Sequence, residues 1–397
     1  MSKQTKIANI LFPLICLILL AAVWVRGALQ PKETVSLYEN RALAELPVLS
    51  VETIGDGSYF TALETALCDH SAFREILLQT RTRIDLLLNR PVINTVVPTE
   101  SGVILPYWDY EAMDEGAVAA AAEQNAEALA ELQKRIESYG GTFLYVPVPG
   151  QCTYYDDLYP SYLNDRAKEW DLAYSVFSET AEELGLNVLD VRAAWAAEGN
   201  PREYMSGEDH HYTYAGGYSV YQMIMERLQE LGVPVEETEL ETVTLENPFL
   251  GSRAVRLCGL WENQESFTYG YPTEHISFTR YDWGNETPGA ETVLSLPAEN
   301  EPVRYTAYMG TDVSETILQT HREELPDGLI FGDSFTNLQE TLLYAAFDEM
   351  RSLDLRYFKE SSLWAYVEEY QPSVVLCIYD ERVYSESGSM DNLFSDD

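Results

Sequence analysis

The sequence predicts an α/β fold: a parallel sheet flanked by helices, interrupted by a β-rich insertion and preceded by a transmembrane anchor. Three observations carry this reading. Short apolar runs alternate with amphipathic helical patterns from Asp114 to Leu231 and again from Gly328 to Tyr379, the rhythm of parallel strands joined by helical crossovers. Between these stretches, Glu239 to Asp312 breaks into short runs rich in Thr, Tyr and Phe with Gly and Pro between them, a β pattern. The first 30 residues differ in kind from everything after them.

In that first segment Lys3 and Lys6 precede an apolar run from Ile7 to Val25, broken only by Asn9 and Pro13. At about 1.5 Å per residue the run is long enough for a hydrocarbon core of roughly 30 Å. Its positive flank would stay in the cytoplasm and send the remaining chain outside. A cleaved signal peptide is the competing reading, although Val25-Arg26-Gly27 makes a poor cleavage site. Ile15 before Cys16 is too bulky for a usual lipoprotein site. Residues 31–95 then read as a charged, helical lead-in that packs on the main domain, with apolar residues at helical intervals over Leu37–Pro47 and Thr61–Arg90.

The first part of the α/β domain is assigned to 96–238. Val118, Ala122, Leu129, Leu132 and Ile136 step by threes and fours, and Gly140 stands where the helix should stop. Thr142–Pro147 is a buried strand, a second helix runs over Asp165–Leu184, and Asn187–Val191 is another short strand. Thr213 suits the N-cap of a helix carrying Tyr218, Tyr221, Met225, Leu228 and Leu231, ended by Gly232 and Pro234. The insertion occupies 239–325, with β runs at His275–Trp283 and Arg304–Met309. The domain resumes over 326–384 with a strand at Gly328–Phe331, a helix at Asn337–Met350, a strand at Leu353–Leu355, a helix at Ser362–Tyr370 and a last strand at Val374–Tyr379. Residues 385–397 read as a disordered tail.

Composition narrows the function. The chain has 397 residues with 65 Asp and Glu against 25 Lys and Arg, a formal net charge of −40. Such a surface repels a phosphate backbone, so nucleic acid is excluded as a partner. With 46% hydrophobic residues the chain can build a core and is not disordered as a whole. Its five cysteines form no CxxC and show no metal-ligand spacing. The four outside the apolar run read as buried small hydrophobes, and no cofactor is implied.

Two stretches carry candidate chemistry. Gly332-Asp333-Ser334-Phe335 follows a strand and precedes a helix, which puts Ser334 at the C-terminal edge of the sheet, beside N–H groups able to hold an oxyanion. The same residues also make ordinary strand-to-helix turns. Asp209-His210-His211-Tyr212 lies just before the Thr213 cap. Serine needs a base to take its proton, and that base works best when a carboxylate fixes its tautomer. Asp209 and His211, two residues apart, come together in an extended or turn backbone but not on a helix. A structural Asp–His hydrogen bond is the bland alternative. A metal site from Asp209, His210 and His211 lacks further ligands.

These residues, taken with others, resemble the DHHW family of bacterial extracytoplasmic proteins, which is similar to the SGNH-fold alginate O-acetylation proteins AlgJ and AlgX. The resemblance runs through Tyr38-Glu39-Asn40-Arg41 with Leu43 and Pro47, Asp69-His70 with Phe73-Arg74, Pro147-Val148-Pro149, the two candidate stretches, Asp354-Leu355-Arg356-Tyr357 and Glu381-Arg382. It implies an SGNH-hydrolase-like sheet with Ser334 as nucleophile, His211 as base and Asp209 as the carboxylate that orients it. It further implies O-acyl, principally O-acetyl, transfer or ester hydrolysis on a cell-envelope or secreted polysaccharide. A membrane-bound acyltransferase would supply the acyl group at the bacterial cell membrane. Tyr212 departs from the family's usual Trp; it would keep an aromatic wall while adding a hydroxyl. Asp333, His210, Asn337 and Arg382 are further candidates for substrate or oxyanion contacts. Asn337 equally suits a helix surface, and Arg382 suits an ion pair with Asp380 or Glu381. A non-catalytic glycan-binding or scaffold protein on the same fold is the alternative function.

Overall fold

The structure is a computed structural model that describes residues 3–29, 34–36, 38–39, 41–163, 166–261, 265–283, 288–289, 291–390 and 393–395. Leu37, Asn40, Asp165 and the end of the tail lie outside these. The chain divides into two compact units, Met1–Val96 with Ala254–Glu262, and Val97–Arg253 with Asn263–Asp397. The first therefore takes in a short stretch of the expected insertion as well as the lead-in.

In the first unit, helix α1 (Lys3–Leu29) covers the apolar run. Among the described residues no helix is long and apolar enough to cross a membrane, so the structure does not support the anchor expected from the sequence. The helix expected over Leu37–Pro47 is replaced by a small ladder, β1 (Val35–Ser36) antiparallel to β2 (Arg41–Ala42). The reason is tertiary. Arg41 grips Asp69 through two nitrogens at 2.8 and 2.6 Å, the Ala44 N–H donates to the same carboxylate at 2.9 Å, and His70 Nε2 meets the Ala44 carbonyl at 3.0 Å. These bonds hold the segment extended against α3 (Ser58–Asp69); α2 (Val51–Gly55) and α4 (Arg74–Leu87) complete the unit.

Short strands β3 (Val96–Pro98) and β4 (Ile104–Pro106) lead into the second unit. Asp114 caps α5 (Glu115–Ser138) by accepting from the Ala117 N–H, and Gly140, at φ 94°, follows the helix end. Next come β5 (Thr142–Val148), α6 (Gln151–Tyr154) and α7 (Ala167–Leu184). The strand expected at Asn187–Val191 shrinks to one parallel bridge, Val188 to Tyr145, because Asp190 caps α8 (Val191–Ala197). Helix α9 (Tyr214–Glu230) starts at the Thr213 cap.

The β-rich stretch supplies a hairpin, β6 (Leu240–Pro248) with β7 (Ser266–Pro272), and between them α10 (Ser252–Arg256). Its third strand, β8 (Thr279–Asp282), pairs with β9 (Glu315–Gln319) and so belongs to the main sheet. The run expected as β at Arg304–Met309 contains a 3-10 turn at Tyr305–Ala307. The remaining elements are β10 (Gly328–Gly332), α11 (Thr336–Leu343), β11 (Glu349–Asp354), α12 (Leu363–Tyr370) and β12 (Val374–Asp380). Helix α11 is shorter than expected because Glu349 onward pairs with β9 and β10.

The sheet is mixed, in the order β5-β12-β10-β11-β9-β8. The first four strands are parallel, and β9 and β8 run antiparallel at the far edge. One face packs Phe143, Tyr145, Leu329, Phe331, Val375 and Cys377 against α5, α7 and α12. The alternate residues Leu144, Ile330, Leu376 and Ile378 are buried too, the pattern of a sheet covered on both sides. Met390 and Leu393 also lie in this core, so the described part of 385–397 is ordered, not the disordered tail expected from its polar composition. The two strands that follow β10, β11 and β12, flank it on opposite sides, which opens a crevice at its C-terminal end.

Candidate active site

The serine is delivered by the end of β10. Gly332 passes so near β12 that a Cβ there would lie 1.8 Å from the Ile378 carbonyl, so no other residue fits this turn. Asp333 then staples the loop. Its Oδ1 accepts from the Phe335 N–H at 2.9 Å and its Oδ2 from the Asp380 N–H at 3.0 Å. Burial and the nearby Asp380 push its carboxyl up to about 6. The carboxyl of Asp333 thus shapes the backbone around Ser334. Ser334 is partly exposed, and its carbonyl accepts from the Asn337 N–H at 3.3 Å as α11 begins.

The histidine comes from a tight loop ahead of α9. Met205 bridges Tyr212, and the Ser206 N–H reaches the His211 carbonyl at 3.3 Å. Inside the loop Ser206 Oγ accepts the Asp209 and Glu208 N–H groups at 2.9 and 3.1 Å. Glu265 clamps it from β7's start, taking Ser206 Oγ and the Gly207 N–H at 2.5 Å each. Gly251 allows the next loop to approach, since a Cβ there would lie 2.2 Å from the Glu208 carbonyl.

These loops bring Asp209 and His211 into one line with the distant Ser334. His211 Nε2 lies 2.6 Å from Ser334 Oγ, and His211 Nδ1 lies 2.6 Å from Asp209 Oδ1. Asp209 Oδ1 also accepts the His211 N–H at 3.1 Å, and Oδ2 accepts the Ser252 N–H at 2.6 Å. Both Asp209 and His211 are buried. Burial works to raise the Asp209 carboxyl, but the two histidines and the Ser252 N–H outweigh it and hold the group well below the usual carboxylate range. The histidine ring is fixed on its faces. Tyr305 stacks on it at 3.7 Å and 5°, and Phe335 meets it edge-on at 5.0 Å.

The other predicted site residues separate. His210 Nδ1 meets Ser252 Oγ at 2.7 Å, with about a third of its side chain exposed. Tyr212 is buried and does not wall the cleft: its hydroxyl donates to the Phe335 carbonyl and accepts from Gln339 Nε2 at 3.2 Å, which ties the histidine loop to α11. Asn337 is not a surface residue but is buried, with its amide on Asp312 Oδ1 at 3.1 Å. Arg382 pairs with Asp380 through Nε at 2.8 Å. Asp209, His210 and His211 bring ligand atoms within 4.8 Å of one another, but the carboxylate oxygens are already engaged by His211 and Ser252. Sequence reasoning missed Tyr305, Glu265, Ser252 and Ser206. No motif marks them, and Tyr305 is one of 27 tyrosines.

Residues 106–292 match the family described as SGNH hydrolase-like domain, acetyltransferase AlgX. That match takes in Asp209 and His211 and ends before Ser334. No curated protein matches the chain in sequence. Among solved structures, PatB1 of Bacillus cereus with a sulfonyl adduct superposes with a TM-score of 0.59 at 17% identity, covering 76% of this chain and 97% of that one. A DHHW family protein from Eubacterium siraeum superposes with a TM-score of 0.56 at 20% identity, covering 77% and 97%. The O-acetyltransferase domain of Pseudomonas putida AlgJ aligns at 11% identity and a TM-score of 0.46, over 75% and 94%. The chain therefore resembles the SGNH-like acetyltransferase domain of AlgX in sequence over residues 106–292, and shares its fold with PatB1 and the DHHW family protein.

Proposed function

We propose that this protein is an SGNH-type serine O-acyltransferase or esterase, principally for acetyl groups, that acts on a cell-envelope or secreted polysaccharide. The observation that carries the reading is the continuous line from Ser334 Oγ through His211 to Asp209, with both contacts at 2.6 Å. His211 Nε2 takes the Ser334 proton as Oγ attacks the acyl carbonyl, and Asp209 holds the Nδ1–H tautomer and steadies the imidazolium. The carbonyl carbon becomes tetrahedral, and its oxyanion is received by the Ser334 N–H at the start of α11. Collapse returns the proton from His211 to the leaving group and leaves an acyl ester on Ser334. A sugar hydroxyl, or water, then gives its proton to His211 and attacks that ester; collapse breaks the bond to Ser334 Oγ, which takes the proton back from His211 as the acylated glycan, or the free acid, leaves.

The acetyltransferase description of the matched family and the fold shared with PatB1 support this chemistry. The sulfonyl adduct recorded for PatB1 is the kind of product that a reactive nucleophile forms with a sulfonyl reagent. The apolar run Ile7–Val25 behind Lys3 and Lys6 supports attachment to the bacterial membrane with the site outside, next to a membrane-bound acyltransferase that provides the acyl group. The test is transfer of radiolabelled acetyl from an aryl acetate to polysaccharide fragments by the full chain. Label on Ser334 and then on the glycan, or released as acetate, is expected. Well-folded protein that binds glycan but never carries label would move the assignment to a glycan-binding scaffold.

A further inference from the structure

Helix α10 carries a guanidinium, Arg253, that acyl transfer at Ser334 does not use. Arg253 follows Ser252, the residue whose N–H holds Asp209. Its backbone N–H donates to the Glu208 carbonyl at 2.9 Å, and its Nε donates to Gln151 Oε1 at 3.3 Å. Gln151 is buried and gives its own amide N–H to the Ser206 carbonyl at 3.0 Å, which orients its oxygen toward the arginine. The side chain is thus held at Nε. Among the described residues its two Nη groups have no hydrogen-bond partner, and it forms no ion pair.

That is an unusual state in a chain with 65 acidic and 25 basic residues, where a guanidinium fixed in place and only partly exposed would ordinarily meet a carboxylate. Burial lowers the Arg253 pKa, and Arg382 lowers it further, so the two guanidinium groups feel each other. Both also act on His210. Topology explains the gathering. Gln151 follows β5, Arg382 follows β12 and Ser334 follows β10, and these three strands are adjacent and parallel. A guanidinium with both Nη groups open is a fork suited to two oxygens of one anionic group.

We propose that Arg253, backed by Arg382 and His210, seats an anionic group of the acceptor glycan, a carboxylate or a phosphate, beside Ser334. The assignment as acceptor rests on the acyl-transfer reading; the anion seat itself does not. An acidic glycan would be repelled by the chain as a whole, so a local cation selects where it settles and orients a neighbouring hydroxyl toward the acyl-serine.

The test is calorimetric titration of the full chain in detergent with tetragalacturonate, a glycerol-phosphate tetramer and neutral cellotetraose. One of the two anionic oligomers is expected to bind at least about tenfold tighter than cellotetraose, and which one identifies the anion. Arg253→Gln should remove that preference, while Arg253→Lys keeps the charge but loses the fork and retains part of it. Equal binding of all three oligomers by the wild type, or an Arg253→Gln affinity for the anion within twofold of wild type, overturns the proposal. The wild-type comparison stands even where a variant fails to fold. Assaying the wild type for acetyl transfer from an aryl acetate beside the titration separates the two readings: anion preference without any acyl transfer sinks the enzyme and keeps the seat, and transfer to neutral glycan without anion preference does the reverse.

Discussion

Asp209→Asn is the substitution whose effect the geometry specifies most closely. The carboxylate accepts three hydrogen bonds: Oδ1 takes the His211 backbone N–H at 3.1 Å and Nδ1 at 2.6 Å, and Oδ2 takes the Ser252 N–H at 2.6 Å. An amide has one oxygen and one NH2, so it cannot accept at both ends. With its NH2 toward Ser252, two donors face each other at 2.6 Å. With its NH2 toward His211, Nδ1 must accept, the ring proton moves to Nε2, and the lone pair that should receive the Ser334 proton is gone. Each orientation sets the amide NH2 against one backbone N–H, at a cost of about 1–3 kcal/mol, but the His211 N–H lies at 3.1 Å and the Ser252 N–H at 2.6 Å, so the second outcome is the less costly one. The wrong tautomer, with the lost charge opposite the imidazolium, gives an expected fall in turnover of about 10²–10⁴, or roughly 3–5 kcal/mol of barrier. The assay is steady-state hydrolysis of an aryl acetate by the full chain, with circular dichroism to show that the fold is kept. A folded Asp209→Asn enzyme within threefold of wild type would refute the role given to this carboxylate.

Other substitutions probe separate parts of the arrangement. Tyr305→Leu removes the ring stacked on His211 at 3.7 Å; aryl-ester turnover should fall about three- to tenfold, in line with the roughly 0.5–1.5 kcal/mol of a good stack, and an unchanged rate would deny Tyr305 a positioning role. Gly332→Ala forces a Cβ to within 1.8 Å of the Ile378 carbonyl, so β10 and β12 must part; thermal denaturation should show a loss of at least about 2 kcal/mol along with activity, and a variant as stable as wild type would contradict the turn described. Glu381→Gln tests the buried carboxyl that burial pushes from 4.5 up to about 7 despite Arg192. Between those pH values the native state keeps a proton that the unfolded chain has released, so this group's contribution falls as pH rises, by about 3 kcal/mol in all, and is flat above about 7. Urea titrations should find the Gln variant more stable than wild type at pH 8 with the gap closing toward pH 5; a gap that widens on acidification would contradict the sign.

Much of the fold was legible because periodic burial wrote it. Helix α5 shows its buried face as Val118, Ala122, Leu129, Leu132 and Ile136, and the strands at Thr142 and Val374 are continuous apolar runs, as a sheet covered on both faces requires. The failures share a cause, which is tertiary bonding that local pattern does not encode. Arg41 on Asp69 stretches a segment whose apolar spacing looked helical, and β9 recruits β8 from a region that looked like a separate insertion. Met390 and Leu393 enter the core from a tail too polar to announce it.

The site was legible where chemistry demands rare residues in a fixed order. Histidine is scarce here, and Asp209 and His211 sit in a loop at a helix start, as Ser334 does. The residues that hold them were not legible. Glu265, Ser252 and Tyr305 are common residue types, brought in by loops far away in sequence, and they carry no spacing signal. Tyr212 shows the converse: its place in the motif suggested a wall for substrate, but the added hydroxyl binds the histidine loop to α11 from inside the core.

The most direct test of the central claim is active-site labelling of the full chain with an aryl sulfonyl fluoride, followed by peptide mass spectrometry. The account predicts modification confined to Ser334, a rate that falls at least about a hundredfold in His211→Ala, and none in Ser334→Ala. Folded wild-type protein that stays unlabelled, or that labels equally fast in His211→Ala, would contradict it.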